Sequence, residues 1–133
     1  MNRDPDLNIR DKNGYTVLMY ELEGNRNINI IKNLLHNDTI NINLKNNNGD
    51  TAFDIALKSE NKDIIKLFIN DPRLNKNENY LDKAILTENI NIVKLLLNKN
   101  FAQNRLKESI HEYSINNNYR NKIIKLLKNK IDL

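Results

Sequence analysis

The chain has 133 residues, a formal net charge of +4 and no cysteine. This length predicts one domain, residues 1–133, with room for a continuous core. The lack of cysteine excludes disulfides and thiolate metal sites, and no apolar run approaches the roughly 18 residues that a membrane-spanning helix needs. We therefore expect an intracellular, cytoplasmic protein without a membrane span.

Asparagine, isoleucine and lysine recur throughout the sequence, for example in the runs Asn46-Asn47-Asn48 and Asn116-Asn117-Asn118. All three residue types have AT-rich codons. We interpret the bias as that of an AT-rich genome, such as that of a parasite, an intracellular bacterium or a large DNA virus, and the asparagine runs as loops. For a parasite or viral protein, the predicted location is the host cell.

Helices are predicted wherever apolar residues recur every three or four positions. Each predicted helix is too short to be stable alone and must bury its apolar stripe against a neighbour. The helices fall into four pairs, each pair joined by a short polar link. They cover residues 16–24 and 28–36, 51–59 and 61–70, 79–87 and 89–98, and 107–117 and 119–130.

The first pair follows a turn at Gly14, with Thr16 placed to cap the helix and Leu18 as its first core position. Glu21 and Glu23 give this helix acidic positions on its exposed side. A helical stack needs polar terminal faces, so these two residues favour an end unit and a natural N-terminus.

The second pair repeats the pattern most clearly. Gly49 supplies the positive φ of a tight turn, and Thr51 can cap the helix that follows. Phe53 and Ala56 then lie on one helical face. Pro72 ends the second helix of the pair, because proline cannot continue a helix and restricts the residue before it.

The third and fourth pairs carry similar apolar segments, and the fourth is the least regular. The equivalent core positions Leu18, Phe53, Leu81 and Ile110 are separated by 35, 28 and 29 residues. Self-similarity at this period is typical of a solenoid, in which each unit buries its apolar face against the next. The predicted core consists of Leu18, Leu22, Ile31, Leu34, Leu35, Phe53, Ala56, Leu57, Ile65, Phe68, Leu81, Ala84, Ile85, Val93, Leu96, Ile110, Ile124 and Leu127.

The segments Gly14-x-Thr16-x-Leu18 and Gly49-x-Thr51-x-Phe53-Asp54-x-Ala56 resemble the ankyrin repeat, whose pattern reads Gly-x-Thr-Pro-Leu-His-x-Ala. The resemblance covers about residues 4–130. It implies an all-α fold, namely an ankyrin-repeat solenoid of stacked antiparallel helix pairs joined by hairpin loops. The implied units are residues 8–43, 44–74, 75–104 and 105–133.

The sequence departs from the ankyrin pattern at several positions. No helix start carries the proline, and the histidine position holds a histidine only at His111, whereas the second unit has Asp54 there. The asparagine that ends one unit lies ten residues before the next core anchor in the first two units, but six residues before it in the last two. The last two hairpins are therefore predicted to be about four residues short.

Nothing in the sequence predicts catalysis. The only histidines, His36 and His111, stand at a predicted helix end and at the ankyrin histidine position, where structural roles are expected. No segment forms a recognisable nucleophile motif, glycine-rich phosphate loop or calcium loop. We expect no enzyme activity, no cofactor and no metal site, and we assign no catalytic, cofactor-binding or metal-ligating residue.

Ankyrin repeats bind partners through the tips of their hairpins, here called fingers, and through the exposed side of the inner helix, the first of each pair. The resemblance therefore implies a non-catalytic protein–protein interaction module, which we expect to be a monomer and to use mainly its first two units. Tyr15 is either an aromatic anchor for the partner or a residue that packs against the neighbouring finger. The implied partner-binding residues are Arg10, Lys12, Asn13, Tyr15, Glu23, Lys45, Asn47, Asn48, Asp50, Lys58, Ser59 and Thr87.

Charge is distributed unevenly along the chain. Residues 1–90 contain 12 basic and 14 acidic side chains, whereas residues 91–133 contain nine basic and three acidic ones. The preferred interpretation of the basic end is a solvated outer face, without a nucleic-acid partner. The alternative is a basic C-terminal helix that binds nucleic acid or another anionic surface. A further alternative is a purely structural segment of a longer repeat array.

Overall fold

The computed structural model describes residues 5–76, 78–99, 118–119, 121–123 and 125–126. These residues are helical or form turns and loops, and an isolated antiparallel bridge joins Lys45 to Thr51. No helix among them is long and apolar enough to cross a membrane. The helices are α1 (Val17–Glu23) and α2 (Ile28–Leu35), α3 (Ala52–Ser59) and α4 (Lys62–Ile69), and α5 (Tyr80–Leu86) and α6 (Ile90–Leu97). Residues 118–119, 121–123 and 125–126 are helical as well.

The first six predicted helices are confirmed, and each observed end lies within one residue of its predicted end. The predicted helix 119–130 is described only in part and is helical where it is described. The predicted helix 107–117 lies outside the described residues, as do the predicted core members Ile110, Ile124 and Leu127.

The chain divides into two compact units, Met1–Leu74 and Asn75–Leu133. We call these the first and the second unit, and we call the four shorter units predicted from the sequence repeats. In the first unit α1 packs against α2 and α3, and α4 packs against α2 and α3. This arrangement is two helix pairs stacked side by side, with α1 and α3 as the inner helices. In the second unit α5 packs against α6.

Most of the helices are capped at their first turn by a hydroxyl or amide side chain. The Thr16 hydroxyl accepts a hydrogen bond from Met19 N–H at the start of α1. At the start of α3, Thr51 and Asp54 form a reciprocal capping box, in which each side chain accepts from the other residue's backbone N–H. The predicted capping role of Thr51 is thus confirmed, and the aspartate at the ankyrin histidine position has a structural function.

Asparagine caps each outer helix. The Asn27, Asn61 and Asn89 side chains accept from backbone N–H groups in the first turns of α2, α4 and α6. These asparagines satisfy donors that would otherwise lack a partner at the helix start. At these three positions the asparagine therefore has a structural role, because it stabilises the start of a helix.

Aromatic and aliphatic side chains form the core of the first unit. The rings of Phe53 and Phe68 are stacked with centroids 5.5 Å apart, and both side chains are fully buried. All predicted core residues of this unit are buried except Leu34, which is half-buried. Leu34 is three positions from the buried Ile31 and lies at the flank of the α2 stripe, whereas Leu35, four positions on, faces the core.

A half-buried arginine, Arg73, connects the end of α2 to the segment after α4. The Arg73 guanidinium donates to the carbonyl oxygens of Leu35 and Asn37, the latter at 2.9 Å. It also forms a two-point hydrogen-bonded ion pair with Asp71, at 2.9 Å from Nε to Oδ1 and 2.6 Å from Nη2 to Oδ2. A cation at the last carbonyls of a helix interacts favourably with the helix dipole, so Arg73 both caps α2 and joins the two helix pairs.

The second unit has its own buried cluster. Leu81, Ala84, Ile85, Val93 and Leu96 are buried as predicted. The Tyr119 hydroxyl donates to the backbone oxygen of Ile85 at 2.8 Å, and burial raises the pKa of this phenol.

The hairpin before α5 is shorter than the one before α3. The connection from α2 to α3 covers residues 36–51, whereas the connection from α4 to α5 covers only residues 70–79. The predicted shortening of the third hairpin is thus confirmed, and it is somewhat larger than predicted. The fourth hairpin lies outside the described residues.

Candidate partner-binding surface

The first finger is a turn built around Asp11. Its Oδ1 atom accepts from the N–H groups of Asn13 and Tyr15, both at 2.9 Å, and its backbone oxygen accepts from Gly14 N–H at 2.9 Å. A short acidic side chain that bonds the backbone two residues on is a strong turn former. The side chain of Asp11 therefore fixes the path of the whole finger.

The second finger repeats this turn 35 residues later, with Asn46 in place of Asp11. The Asn46 Oδ1 atom accepts from Asn48 N–H at 2.9 Å and from Asp50 N–H at 3.0 Å, and the backbone oxygen accepts from Gly49 N–H at 3.0 Å. The predicted positive φ of Gly49 is confirmed at 82°. The two fingers are copies of one structure.

Hydrogen bonds join the two fingers side by side. Asn47 donates twice to the first finger, from its backbone N–H to Asn13 O at 3.0 Å and from its side-chain amide to Lys12 O at 2.8 Å. Arg10 donates from Nη1 to Lys45 O at 3.1 Å. The first finger is thus ordered by the second, and their tips form one surface.

The contact between the fingers is close enough to require glycine at position 14. Gly14 has a φ of 79°, and a Cβ atom placed on it would lie 2.7 Å from the backbone nitrogen of Asn47. Gly49 has a similar φ of 82°, but a Cβ atom there would meet nothing within 4 Å. Gly14 serves both the turn and the finger–finger contact, whereas Gly49 serves the turn alone.

Each finger is also tied to the C-terminal end of its inner helix. The Tyr15 hydroxyl donates to Glu23 Oε1 at 2.7 Å, and the Lys58 ammonium donates to Asp50 Oδ2 at 3.1 Å. The two links occupy equivalent positions, 35 residues apart, although one is a phenol–carboxylate bond and the other an ion pair. Tyr15 therefore packs within its own repeat, an arrangement that neither of the two predicted roles described.

A second tyrosine completes this surface, and sequence reasoning missed it. Tyr20 is 50% exposed, its ring centroid lies 4.9 Å from that of Tyr15, and its hydroxyl donates to Asp11 Oδ2. Val17, 44% exposed, lies one turn before Tyr20 on the same side of α1, and Glu23 lies one turn after it. In the sequence, the three-residue spacing of Val17, Tyr20 and Glu23 could have indicated that these side chains share one side of the helix. We call Tyr15, Val17, Tyr20 and Glu23 the tyrosine surface.

Hydrogen bonding shifts the pKa values of three groups at this surface. The bond from Tyr20 is the main cause that lowers the pKa of the Asp11 carboxyl, and the backbone N–H of Tyr15 adds to it. The bonds to Glu23 and Asp11 raise the pKa values of Tyr15 and Tyr20, respectively. At neutral pH, far below the raised pKa values of the two phenols, Tyr15 and Tyr20 are therefore neutral, and the lowered pKa of Asp11 keeps that carboxyl ionised.

The second repeat lacks the equivalent of the Tyr20–Asp11 bond. Ile55 stands at the position of Tyr20 and is buried. The Nδ2 atom of Asn46, which corresponds to the Asp11 oxygen bonded by Tyr20, is buried without a hydrogen-bond partner. Replacement of the tyrosine by an apolar residue explains why this amide is unsatisfied.

The remaining predicted site residues differ in exposure. Arg10, Lys12, Asn13, Lys45, Asn47 and Asn48 are exposed on the fingers, and Lys58 is exposed on α3. Ser59 and Thr87 are half-buried, and their hydroxyls donate to the backbone oxygens of Ala56 and Ala84, both at 2.6 Å. The structure brings the residues from Arg10 to Ser59 together in the first unit, whereas Thr87 belongs to the second unit.

These surfaces provide charge, hydrogen bonds and aromatic contacts. Within the described part of the chain, no group of three or more histidine, aspartate or glutamate side chains could hold a metal ion.

Comparison with known families matches the first part of the chain. The family model for ankyrin repeats (three copies) matches residues 1–80, which include both fingers and helices α1–α4. No curated protein and no solved structure matches the chain. The sequence match covers more than half of the chain, and the matched residues fold into stacked helix pairs with hairpin fingers. The protein therefore belongs to the ankyrin-repeat family.

Proposed function

We propose that the protein binds a partner protein, without catalysis, through the fingers and the exposed sides of α1 and α3 in its first unit. Ankyrin repeats are generally protein–protein interaction modules and are typically non-catalytic. The observation that carries the proposal is the hydrogen-bonded pair of fingers, which holds Lys12, Asn13 and Asn48 exposed in fixed positions. A surface that is ordered before binding loses less conformational entropy when the partner binds.

The links between fingers and helices support the same proposal. The Tyr15–Glu23 bond and the Asp50–Lys58 ion pair attach both fingers to the inner helices. A partner that contacts a finger tip can therefore also contact α1 or α3 without any rearrangement of the finger. Several weak polar contacts on one rigid surface then add to a useful affinity.

The test compares two triple variants of the full chain in capture of partners from cytosol. The first variant, Lys12→Ala/Asn13→Ala/Asn48→Ala, removes exposed finger side chains and keeps Asn47, whose amide joins the fingers. The matched control, Asn29→Ala/Lys32→Ala/Asn33→Ala, removes the same residue types, one lysine and two asparagines, from exposed positions on the outer helix α2.

We expect a protein captured by the wild type to lose at least about tenfold in affinity for the finger variant, or about 1.4 kcal/mol, and to bind the control normally. Both variants should melt close to the wild-type temperature, because surface substitutions usually change stability little. Equal loss in the two variants, or loss in neither, would contradict the proposal.

A second candidate function is binding of a polyanion by the second unit. Lys94 on α6 and the exposed Lys122 and Lys125 line a groove of about 330 Å³ together with Ile90 and Leu126. This convergence of lysines from two segments supports the alternative given by the sequence, in which the basic C-terminal helix binds nucleic acid or another anionic surface. Lysine ammonium groups bind phosphates as point charges and release counterions.

Binding of a fluorescent single-stranded DNA at several salt concentrations tests this candidate. Changing Lys94, Lys122 and Lys125 to glutamine should weaken binding and reduce the slope of log affinity against log salt by up to about 2. Glutamine at Lys32, Lys62 and Lys66, three exposed lysines of the first unit, serves as the control. Equal effects of the two variants would assign the binding to net charge and exclude a site in this groove.

A further inference from the structure

We propose that the tyrosine surface recognises a lysine or arginine side chain in a basic segment of the partner protein. This inference rests on the proposed function and identifies the chemistry of the partner at that site. It is carried by the geometry of two tyrosine rings and by the sign of the charges around them.

The two rings are fixed before any partner binds. Tyr15 and Tyr20 lie with centroids 4.9 Å apart and ring planes 36° apart, and each hydroxyl donates to a different carboxylate, Glu23 or Asp11. Tyr20 is half-exposed although it is aromatic, and Val17 beside it is 44% exposed. Tyr15 is half-buried and supports the Tyr20 ring from one side. An ordered, exposed ring next to an aliphatic side chain can bury the alkyl stem of a long basic side chain.

The charges around the rings favour a cation. Helix α1 carries Glu21 and Glu23 and no basic residue, and Asp11 lies at the other end of Tyr20. A phenol that donates to a carboxylate is polarised by it, which increases the negative charge on the ring face. A lysine or arginine head group over such a face gains both cation–π and ion-pair energy.

The nearby basic groups do not remove this negative potential. Lys58 forms an ion pair with Asp50, so these two charges largely cancel each other. Lys12 is exposed on the finger tip beside Asp11, where solvent screens its charge. Arg10 donates to Lys45 O on the second finger, and Arg26 donates to Leu22 O near the end of α1. Glu23 and Asp11, which accept from the two phenols, then leave the surface acidic.

The other classes of partner segment fit this surface less well. An acidic segment would meet Glu23 and Asp11 with like charge, which costs affinity. A purely apolar segment would cover these carboxylates without adding a positive charge, and burying a charge that has no opposite charge beside it is expensive. A basic segment with aliphatic stems matches both the rings and the carboxylates.

Of the two repeats that have fingers, only the first has the tyrosine surface. In the second repeat the equivalent positions hold Asp50, Ala52, Ile55 and Lys58, of which Ala52 and Ile55 are buried. A basic side chain is therefore expected to lie over α1 and not over α3.

The experiment selects random-sequence peptides, displayed on phage, on the full-length protein. We expect binders enriched in lysine and arginine. The affinity of a selected basic peptide, measured by fluorescence anisotropy, should fall about 3- to 30-fold for Tyr20→Leu and also fall for Glu23→Gln, whose amide oxygen can still accept from Tyr15. Tyr20→Phe, which keeps the ring, should retain more of the affinity than Tyr20→Leu.

The control is Ile30→Ala, which removes an apolar side chain of similar exposure, 44%, from the outer helix α2. Its affinity should equal that of the wild type. Binders without an excess of basic residues, or a basic peptide that binds Tyr20→Leu as well as the wild type, would overturn the inference. If those binders still depend on Lys12, Asn13 and Asn48, the proposed function stands while the inference fails. A library without any binder would contradict both.

Discussion

Gly14 and Gly49 occupy the same turn position in successive fingers, but only Gly14 lies against another segment of the chain. We expect Gly49→Ala to cost about 1–2 kcal/mol, the price of a left-handed conformation for a residue with a Cβ atom. Gly14→Ala should cost at least twice as much, because its Cβ atom would also lie 2.7 Å from the Asn47 backbone nitrogen. Urea denaturation of both variants measures the difference. Equal losses would mean that the fingers separate easily, which would contradict a fixed finger surface.

The Asp71–Arg73 pair predicts a loss of stability in acid. The bonds from Arg73 hold the pKa of Asp71 below its ordinary value of 3.8. The ion pair therefore contributes its full stability above about pH 3.8, and this contribution disappears as the pH falls through the lower pKa of the folded state. Asp71→Asn should melt at a lower temperature than the wild type at neutral pH, and the gap should close below about pH 3.8.

An Arg73→Met background provides the control for this prediction. Without the guanidinium, Asp71→Asn should lose most of its pH-dependent effect on the melting temperature, because the two residues act as a pair. A wild-type gap that stays constant from neutral pH to pH 3 would contradict the assignment.

Single residues could be predicted from the sequence where their role is local. The positive φ of Gly49 and the capping by Thr51 follow from neighbouring residues and are confirmed. Asn47 was correctly assigned to a finger tip, but its bonds to a finger 35 residues earlier could not be predicted, because an asparagine run also fits an ordinary loop. Tyr20 was missed since its partner, Asp11, lies in another element.

At the scale of elements, the helix starts differ in how well they are capped. Helix α3 begins with a reciprocal capping box. At the start of α1 the Thr16 hydroxyl accepts one hydrogen bond, and at the start of α5 the Asn79 side chain makes no capping hydrogen bond. We expect Thr51→Ala to cost about 1–2 kcal/mol, Thr16→Ala about 1 kcal/mol or less and Asn79→Ala close to zero. Thermal unfolding of the three variants gives the order. An Asn79→Ala loss as large as that of Thr51→Ala would contradict the capping interpretation.

The helices were predictable because their apolar positions repeat, but the full extent of the core was not. Every residue of α3 from Ala52 to Leu57 is buried, including Ile55, which was not predicted as core. A helix enclosed on more than one side shows no single apolar stripe, so periodicity reveals only part of its buried surface. Buried residues of other helices were missed as well, among them Met19, Ile64, Ile69, Tyr80, Ile92 and Leu97.

At the scale of the whole molecule, the two compact units predict an uneven response to damage in the core. Phe53→Ala removes a fully buried ring stacked on Phe68 and should cost about 3–5 kcal/mol. Repeat proteins transmit stability mainly between neighbours, and local opening follows cooperative units. Hydrogen exchange of the full-length variant should therefore rise by about 100-fold or more in α1–α4, and by less in α5 and α6. An equal rise in all six helices would show that the chain opens as one unit.

The arrangement of fingers and the Arg73 link has a consequence for how the first unit folds. The side-chain bonds that join its two repeats span 30 to 38 residues, from Asn43–Arg73 to Arg73–Leu35. The entropy cost of closing a loop grows slowly with its length, so forming any one of these contacts costs nearly the same entropy. Each contact of this set joins neighbouring repeats, so none has to wait for a distant part of the chain. The first unit is therefore expected to begin folding from either repeat and to spread to the other, instead of following one obligatory pathway.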